Sequence, residues 1–207
     1  MRLGPTSRTG WFVVVAIVAA NAASAAAQLA PREALGVPVP ADMPRLVPSV
    51  NEKSAEGKLF IGTNSGPGYL LVFENDGTPY FYRQLASPTY DFKIQPAGVL
   101  SYWEGPPLNG WVTLDHTFTP IDPLRGTSQY ETNHHGFQLL PDGHALFIVD
   151  EKRQRDMSEV IYGGYPDAVI LGQHVQELDA DGNLVMEWRS WDHFEITDTW
   201  QRLTSAN

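Results

Sequence analysis

Apolar and polar positions along the chain fall into two regimes. Near the start, Trp11 to Ala20 (WFVVVAIVAA) is an unbroken apolar run behind Arg2 and Arg8, and Ala25-Ala26-Ala27 places small residues before Gln28. A basic flank, a short apolar stretch and a small-residue site form the pattern of a secretory leader, and the run is too short to span a bilayer. Residues 1–27 therefore read as a signal peptide that is cleaved on export. The mature chain is expected in the periplasm or outside the cell, with no membrane attachment after cleavage.

From Lys58 onward the pattern changes to short apolar or aromatic runs cut by Gly, Asp, Asn and Pro. KLFIGT, YLLVFE, PYFYRQ, YDFKIQ, VLSYWE, WVTLDH, GFQLL, HALFIVDE, HVQELD and LVMEWRSW each read as one strand. They are rich in Val, Tyr, Phe and Trp, which fit a pleated surface, and turn residues bound them. No sustained 3.6-residue period follows the leader, so almost no helix is expected. Asn75-Asp76-Gly77, Pro141-Asp142-Gly143 and Asp181-Gly182-Asn183 each sit between two strand-like runs and predict hairpin turns. Between leader and strands, Pro31, Pro38, Pro40, Pro44 and Pro48 forbid helix and inner strand, so residues 28–57 read as an extended lead-in.

The hairpins repeat. Phe92 and Phe137 open similar strand–turn units 45 residues apart, each with a Pro-x-Gly turn. A second unit recurs at Phe73, Leu114 and Leu178, with offsets of 41 and 64 residues, the longer one assigned to an insertion near 152–174. A period of about 40–45 residues with roughly four strands is the signature of a propeller blade. The expected fold is all-β: a partial β-propeller over residues 58–207, about three four-stranded blades. A propeller closes with about four to eight. On this reading the chain as given is open or incomplete, and its unpaired blade edges invite self-association.

Composition narrows the function. The chain carries 14 Lys and Arg against 24 Asp and Glu, a formal charge of −10. Removing the leader deletes two arginines and no acid, so the mature chain is more acidic still. Nucleic-acid binding needs a basic footprint and is not expected. With no cysteine, an exported chain has no disulfide to rely on and must be stable through its core.

Two segments hold candidate chemistry. Thr132-Asn133-His134-His135-Gly136 begins a strand. In a regular strand the two imidazoles would point to opposite faces, so one at most would meet a given cavity. The second segment, Trp188-Arg189-Ser190-Trp191-Asp192-His193-Phe194, reads either as an aromatic, cationic pocket wall or as a packed sheet edge. No metal is expected: His134, His135 and His144 lack helical i, i+4 spacing and come with no Cys or carboxylate set. Asp179-Ala180-Asp181-Gly182-Asn183 is not a calcium loop, because its Gly comes fourth rather than sixth and position 12 is Ser190.

GFQLLPDGHALFI followed by VQELDADGNLVMEWRSWDHFEITD resembles the bacterial arylsulfotransferases, and DFKIQPAGVLSYW resembles their preceding blade. The resemblance covers roughly residues 58–199. It implies an exported six-bladed propeller, without a cofactor, that moves a sulfuryl group from a phenolic sulfate ester to a phenol through a sulfated histidine. His135 matches the family's first active-site histidine, with His134 as the adjacent alternative. A neutral imidazole can attack sulfur, a second can move the proton, and an arginine can offset sulfate charge. Arg189, His193 and Trp191 are candidate substrate-binding residues. Where the family often carries Asp or Glu after the histidine, this chain has Gly136. The family's later elements, a His followed by Arg and then the His that accepts the sulfuryl group, would lie beyond Asn207. Three readings stay open: a truncated or inactive part of such an enzyme, a non-catalytic binding or scaffold module that completes its fold by dimerising, and an intact enzyme using His134, His135 and His193.

Overall fold

A computed structural model describes residues 39–199 apart from 66, 67 and 122. The expected signal peptide, residues 1–27, lies outside the described residues, as do the first part of the lead-in and the end of the chain. Ten strands form where the sequence runs predict them: β1 (Leu59–Gly62), β2 (Gly68–Phe73), β3 (Pro79–Leu85), β4 (Thr89–Ile94), β5 (Leu100–Glu104), β6 (Gly110–Leu114), β7 (Glu131–Leu139), β8 (Ala145–Arg155), β9 (Ala168–Leu178) and β10 (Leu184–Arg189). The helical pieces among the described residues are three 3-10 turns of three residues each. The predicted hairpin turns join β2 to β3, β7 to β8 and β9 to β10. Each contains a glycine at positive φ, +89° at Gly143, where any side chain would be strained.

The strands form three antiparallel meanders in chain order: β1-β2-β3, β4-β5-β6 and β10-β9-β8-β7. The first apolar core lies between the first two sheets and includes Leu70, Val72, Phe81, Phe92, Tyr102 and Leu114. The second lies between the second and third sheets and includes Trp103, Trp111, Phe137, Phe147 and Val149. β2 is apolar throughout and buried on both faces, as an uninterrupted apolar run requires. Its second face, Tyr69, Leu71 and Phe73, is covered by Met43 and Leu46 of the lead-in.

The expected partial β-propeller is overturned. The three sheets are separate, with three, three and four strands, and none is closed or strongly curled as propeller blades would be. The repeat that suggested blades is real as a repeat of hairpins. Alternating apolar positions and tight turns determine which strands pair. They are silent on how one sheet is set against the next. The segment assigned to an insertion is also partly strand: β8 and β9 pair as far as Arg155 and Ala168, beyond the point where β7 and β10 accompany them.

Two polar ties hold neighbouring sheets together. The Thr89 backbone N–H donates to the Thr63 carbonyl at 3.0 Å. Gln95, buried in the turn after β4, donates to Ser101 Oγ at 2.6 Å and accepts the Leu139 N–H at 3.0 Å. The second tie brings β4 alongside β7, where the candidate histidines lie.

Candidate functional site

β7 is irregular at the histidines. Thr132 pairs with Val149 and Phe137 with Phe147, so residues 133–136 of β7 face residue 148 alone on β8. A bulge of this kind breaks the two-residue alternation and re-aims side chains. The expectation that His134 and His135 point to opposite faces is therefore corrected. Their ring centroids are 3.8 Å apart with an interplanar angle of 38°. His134 also lies 4.7 Å from the Tyr90 ring of β4 and 6.2 Å from the Trp103 ring of β5. The two histidines thus extend an aromatic wall that the second sheet supplies.

Asn133 organises this bulge. Its backbone carbonyl accepts the Trp111 indole N–H at 3.2 Å, and its side-chain Nδ2 donates to Asp150 Oδ2 at 2.7 Å. Its Oδ1 accepts the His135 backbone N–H at 2.7 Å and lies 3.0 Å from His135 Nδ1. The first of these is an Asx turn, the local use of asparagine that tightens a chain. Gln173 Nε2 donates to the other Asp150 oxygen at 3.3 Å.

The two imidazoles differ in setting. His134 is half-buried, and burial lowers its pKa from 6.5, with a further lowering from His135 and a partial offset from Asp150. His135 is exposed, and its Nε2 has no hydrogen-bond partner among the described residues. It does not point into an enclosed channel. Beginning at Gly136, a shallow hollow of about 240 Å³ opens over Leu146, Ile148 and Val175, with Lys93 and Gln138 at its rim. Lys93 is paired with Asp91 at 2.5 Å.

The candidates on the second segment are elsewhere. β7 and β10 are the opposite edges of the four-stranded sheet, about 14 Å apart at the usual strand spacing. Arg189 donates to Glu151 Oε2 at 3.1 Å and is committed to that carboxylate. Trp191 covers Gly172 and lies under Arg153, 5.0 Å from ring centroid to guanidinium. His193 stacks on Trp188 at 4.9 Å, nearly parallel. This segment packs as a sheet edge, and the structure does not bring it to His134 and His135.

A further imidazole, His174, was not singled out by the sequence. It is fully buried between Glu151 and Ser190, an order that invites comparison with a Ser–His–acid triad. The geometry argues against that role. His174 Nδ1 accepts the backbone N–H of Ser190 at 3.2 Å, so the ring proton sits on Nε2 and is donated to Glu151 at 2.7 Å. Burial would raise the Glu151 pKa, but hydrogen bonds from Arg153, His174 and Arg189 outweigh it and hold it at about 2. The group is a latch between β8, β9 and the turn after β10. Asp150, Tyr90 and Trp103 were also missed, because each comes from another strand. Asn133, two residues before His135, carried the one usable local signal.

Among the described residues, no group of three His, Cys, Asp or Glu side chains is arranged to hold a metal ion, and no helix is long and apolar enough to cross a membrane. No protein-family model matches the chain, and no curated protein matches it.

Proposed function

We propose that this is an exported protein whose His134–His135 pair transfers a sulfuryl group from a phenolic sulfate ester to a phenol. The observation that carries the proposal is the pairing itself: two imidazoles in contact on an aromatic wall, one exposed with an unpartnered ring nitrogen, the other held toward its neutral form. A neutral imidazole nitrogen is a competent nucleophile near neutral pH. Tyr90, half-buried beside His134, offers a face on which an aryl group would stack, with Trp103 buried behind the site. The sequence resemblance of residues 58–199 implies the same reaction but a different, later histidine as sulfuryl acceptor, so the role given to His135 rests on the site's geometry alone.

In the first half-reaction the His135 Nε2 lone pair forms an N–S bond while the S–O bond to the aryl oxygen breaks. The phenolate leaves with that electron pair and takes a proton from water. In the second half the acceptor phenol oxygen attacks sulfur as His134 takes its proton. The N–S bond then breaks, its electron pair returns to Nε2, and His134 releases the proton to solvent. Arg189, on the opposite edge of the sheet from His135, has no part in this scheme. Lys93, at the rim of the adjacent hollow, is the proposed partner for the anionic ester.

The test is a chromogenic phenyl sulfate incubated with the mature chain and a phenol acceptor. Release of the chromogenic phenol that depends on acceptor, and that falls to the buffer rate in His135→Ala, supports the reading. Release equal to buffer from folded wild-type chain refutes it. A second reading, a non-catalytic binding module that works through association, draws on one observation: β10 presents exposed Val185, Met186 and Trp188 on an open edge. A stable dimer without turnover would favour it.

A further inference from the structure

The hydrogen bonds around Asn133 leave it one orientation. The His135 backbone N–H is always a donor, so the side-chain atom that meets it is the oxygen, Oδ1. The carboxylate of Asp150 accepts, so the atom facing it is the amide nitrogen, Nδ2. Both ends demand the same amide orientation. His135 Nδ1 therefore faces an oxygen that can only accept, and a neutral ring satisfies it by carrying its proton on Nδ1. The lone pair is left on Nε2, the exposed nitrogen.

We infer that Asn133, anchored by Asp150, is a positioning residue that selects the Nδ1–H tautomer of His135 and so presents Nε2 as the free nitrogen. The inference deepens the proposed function and, for its effect on turnover, rests on His135 being the nucleophile. Gln173 donates to the second oxygen of Asp150 and belongs to the same chain of contacts: Gln173 on β9, Asp150 on β8, Asn133 and His135 on β7. The free ring in water has no such bias toward Nδ1–H. Without the relay, Nε2 would be protonated for much of the time and unable to attack.

The experiment reads the tautomer directly. Long-range ¹H–¹⁵N correlation on the ¹⁵N-labelled mature chain reports which ring nitrogen is protonated, with the His135 signals assigned by their loss in His135→Gln. Wild type is expected to show protonated Nδ1, Asn133→Ala to shift toward protonated Nε2, and Asp150→Asn, which keeps an acceptor for Asn133 Nδ2, to retain Nδ1–H. Protonated Nε2 in wild type, or an unchanged tautomer in Asn133→Ala, overturns the inference. Should Asn133→Ala fail to fold, wild type and Asp150→Asn still decide it: protonated Nε2 in either is fatal to it. Turnover is the separate arm. There, Asn133→Ala should lower kcat on the order of 10²-fold with KM nearly unchanged, and Asp150→Asn should keep most of the wild-type kcat. The expected tautomers without wild-type turnover would refute the proposed function and leave the relay standing; turnover with the wrong tautomer would do the reverse.

Discussion

Asn133 and His134 are neighbours in the chain, yet the bulge turns one into the interior and leaves the other half-buried on an aromatic face. The His134 setting makes a pH prediction. Its folded pKa lies below 6.5 because burial disfavours the charged ring. In the proposed transfer to the phenol His134 must be unprotonated, so the acidic limb of that second half-reaction, followed from the sulfated enzyme, should lie below pH 6.5, and His134→Gln should remove it. The same shift affects stability. As pH drops below 6.5 the unfolded chain takes up the proton first, so this group weakens the fold between 6.5 and its lower folded value. Gly172 gives a steric prediction. A Cβ there would come within 2.2 Å of the Trp191 ring. The indole is rigid, so Gly172→Ala should cost on the order of 1–3 kcal/mol in urea unfolding, with no change in the tautomer of His135.

Among the elements, the latch of β8, β9 and the turn after β10 should be the acid-sensitive part. The Glu151 pKa is depressed from 4.5 to about 2. A depressed carboxyl stabilises the fold fully above its unfolded value, and that contribution is lost as pH falls from about 4.5 to about 2. Glu151→Gln should weaken the fold at neutral pH by on the order of 1–3 kcal/mol and should lack this part of the acid transition when followed by near-UV circular dichroism. The strands themselves were legible from sequence: β2 as an uninterrupted apolar run, β7 and β8 flanking the turn at Gly143. Their lengths were less so. β9 begins at Ala168, six residues before its predicted start at His174, because its outer part pairs with β8 and needs little burial to persist. The bulge in β7 was not legible at all. It exists because Asn133 is drawn inward by Trp111 and Asp150, partners 22 and 17 residues away.

Across the whole molecule the burial is uneven. The first two sheets enclose a core and the lead-in covers the far face of β2, whereas β10 remains an edge strand with Leu184, Val185, Met186 and Trp188 all exposed. Open apolar edges are templates for pairing. The chain should therefore self-associate with rising concentration. Val185→Lys should reduce that association in light scattering while leaving the His135 tautomer and phenol release unchanged. Association of folded Val185→Lys equal to wild type would place the contact elsewhere.

The order of strands, the hairpin turns and the apolar faces were settled by the amino-acid sequence alone. Alternation, β-branched and aromatic content, and glycine at positive φ act within a few residues. The stacking of three open sheets in place of blades was decided by the tertiary structure, since a repeat of hairpins is compatible with more than one way of covering their faces. The candidate site shows the same division. His134 and His135 stand out in the sequence by residue type, but their contact, the wall of Tyr90 and Trp103, and the Asp150–Asn133 support all come from strands far apart in the chain. Such contacts depend on how whole sheets are set against one another, which no local pattern specifies.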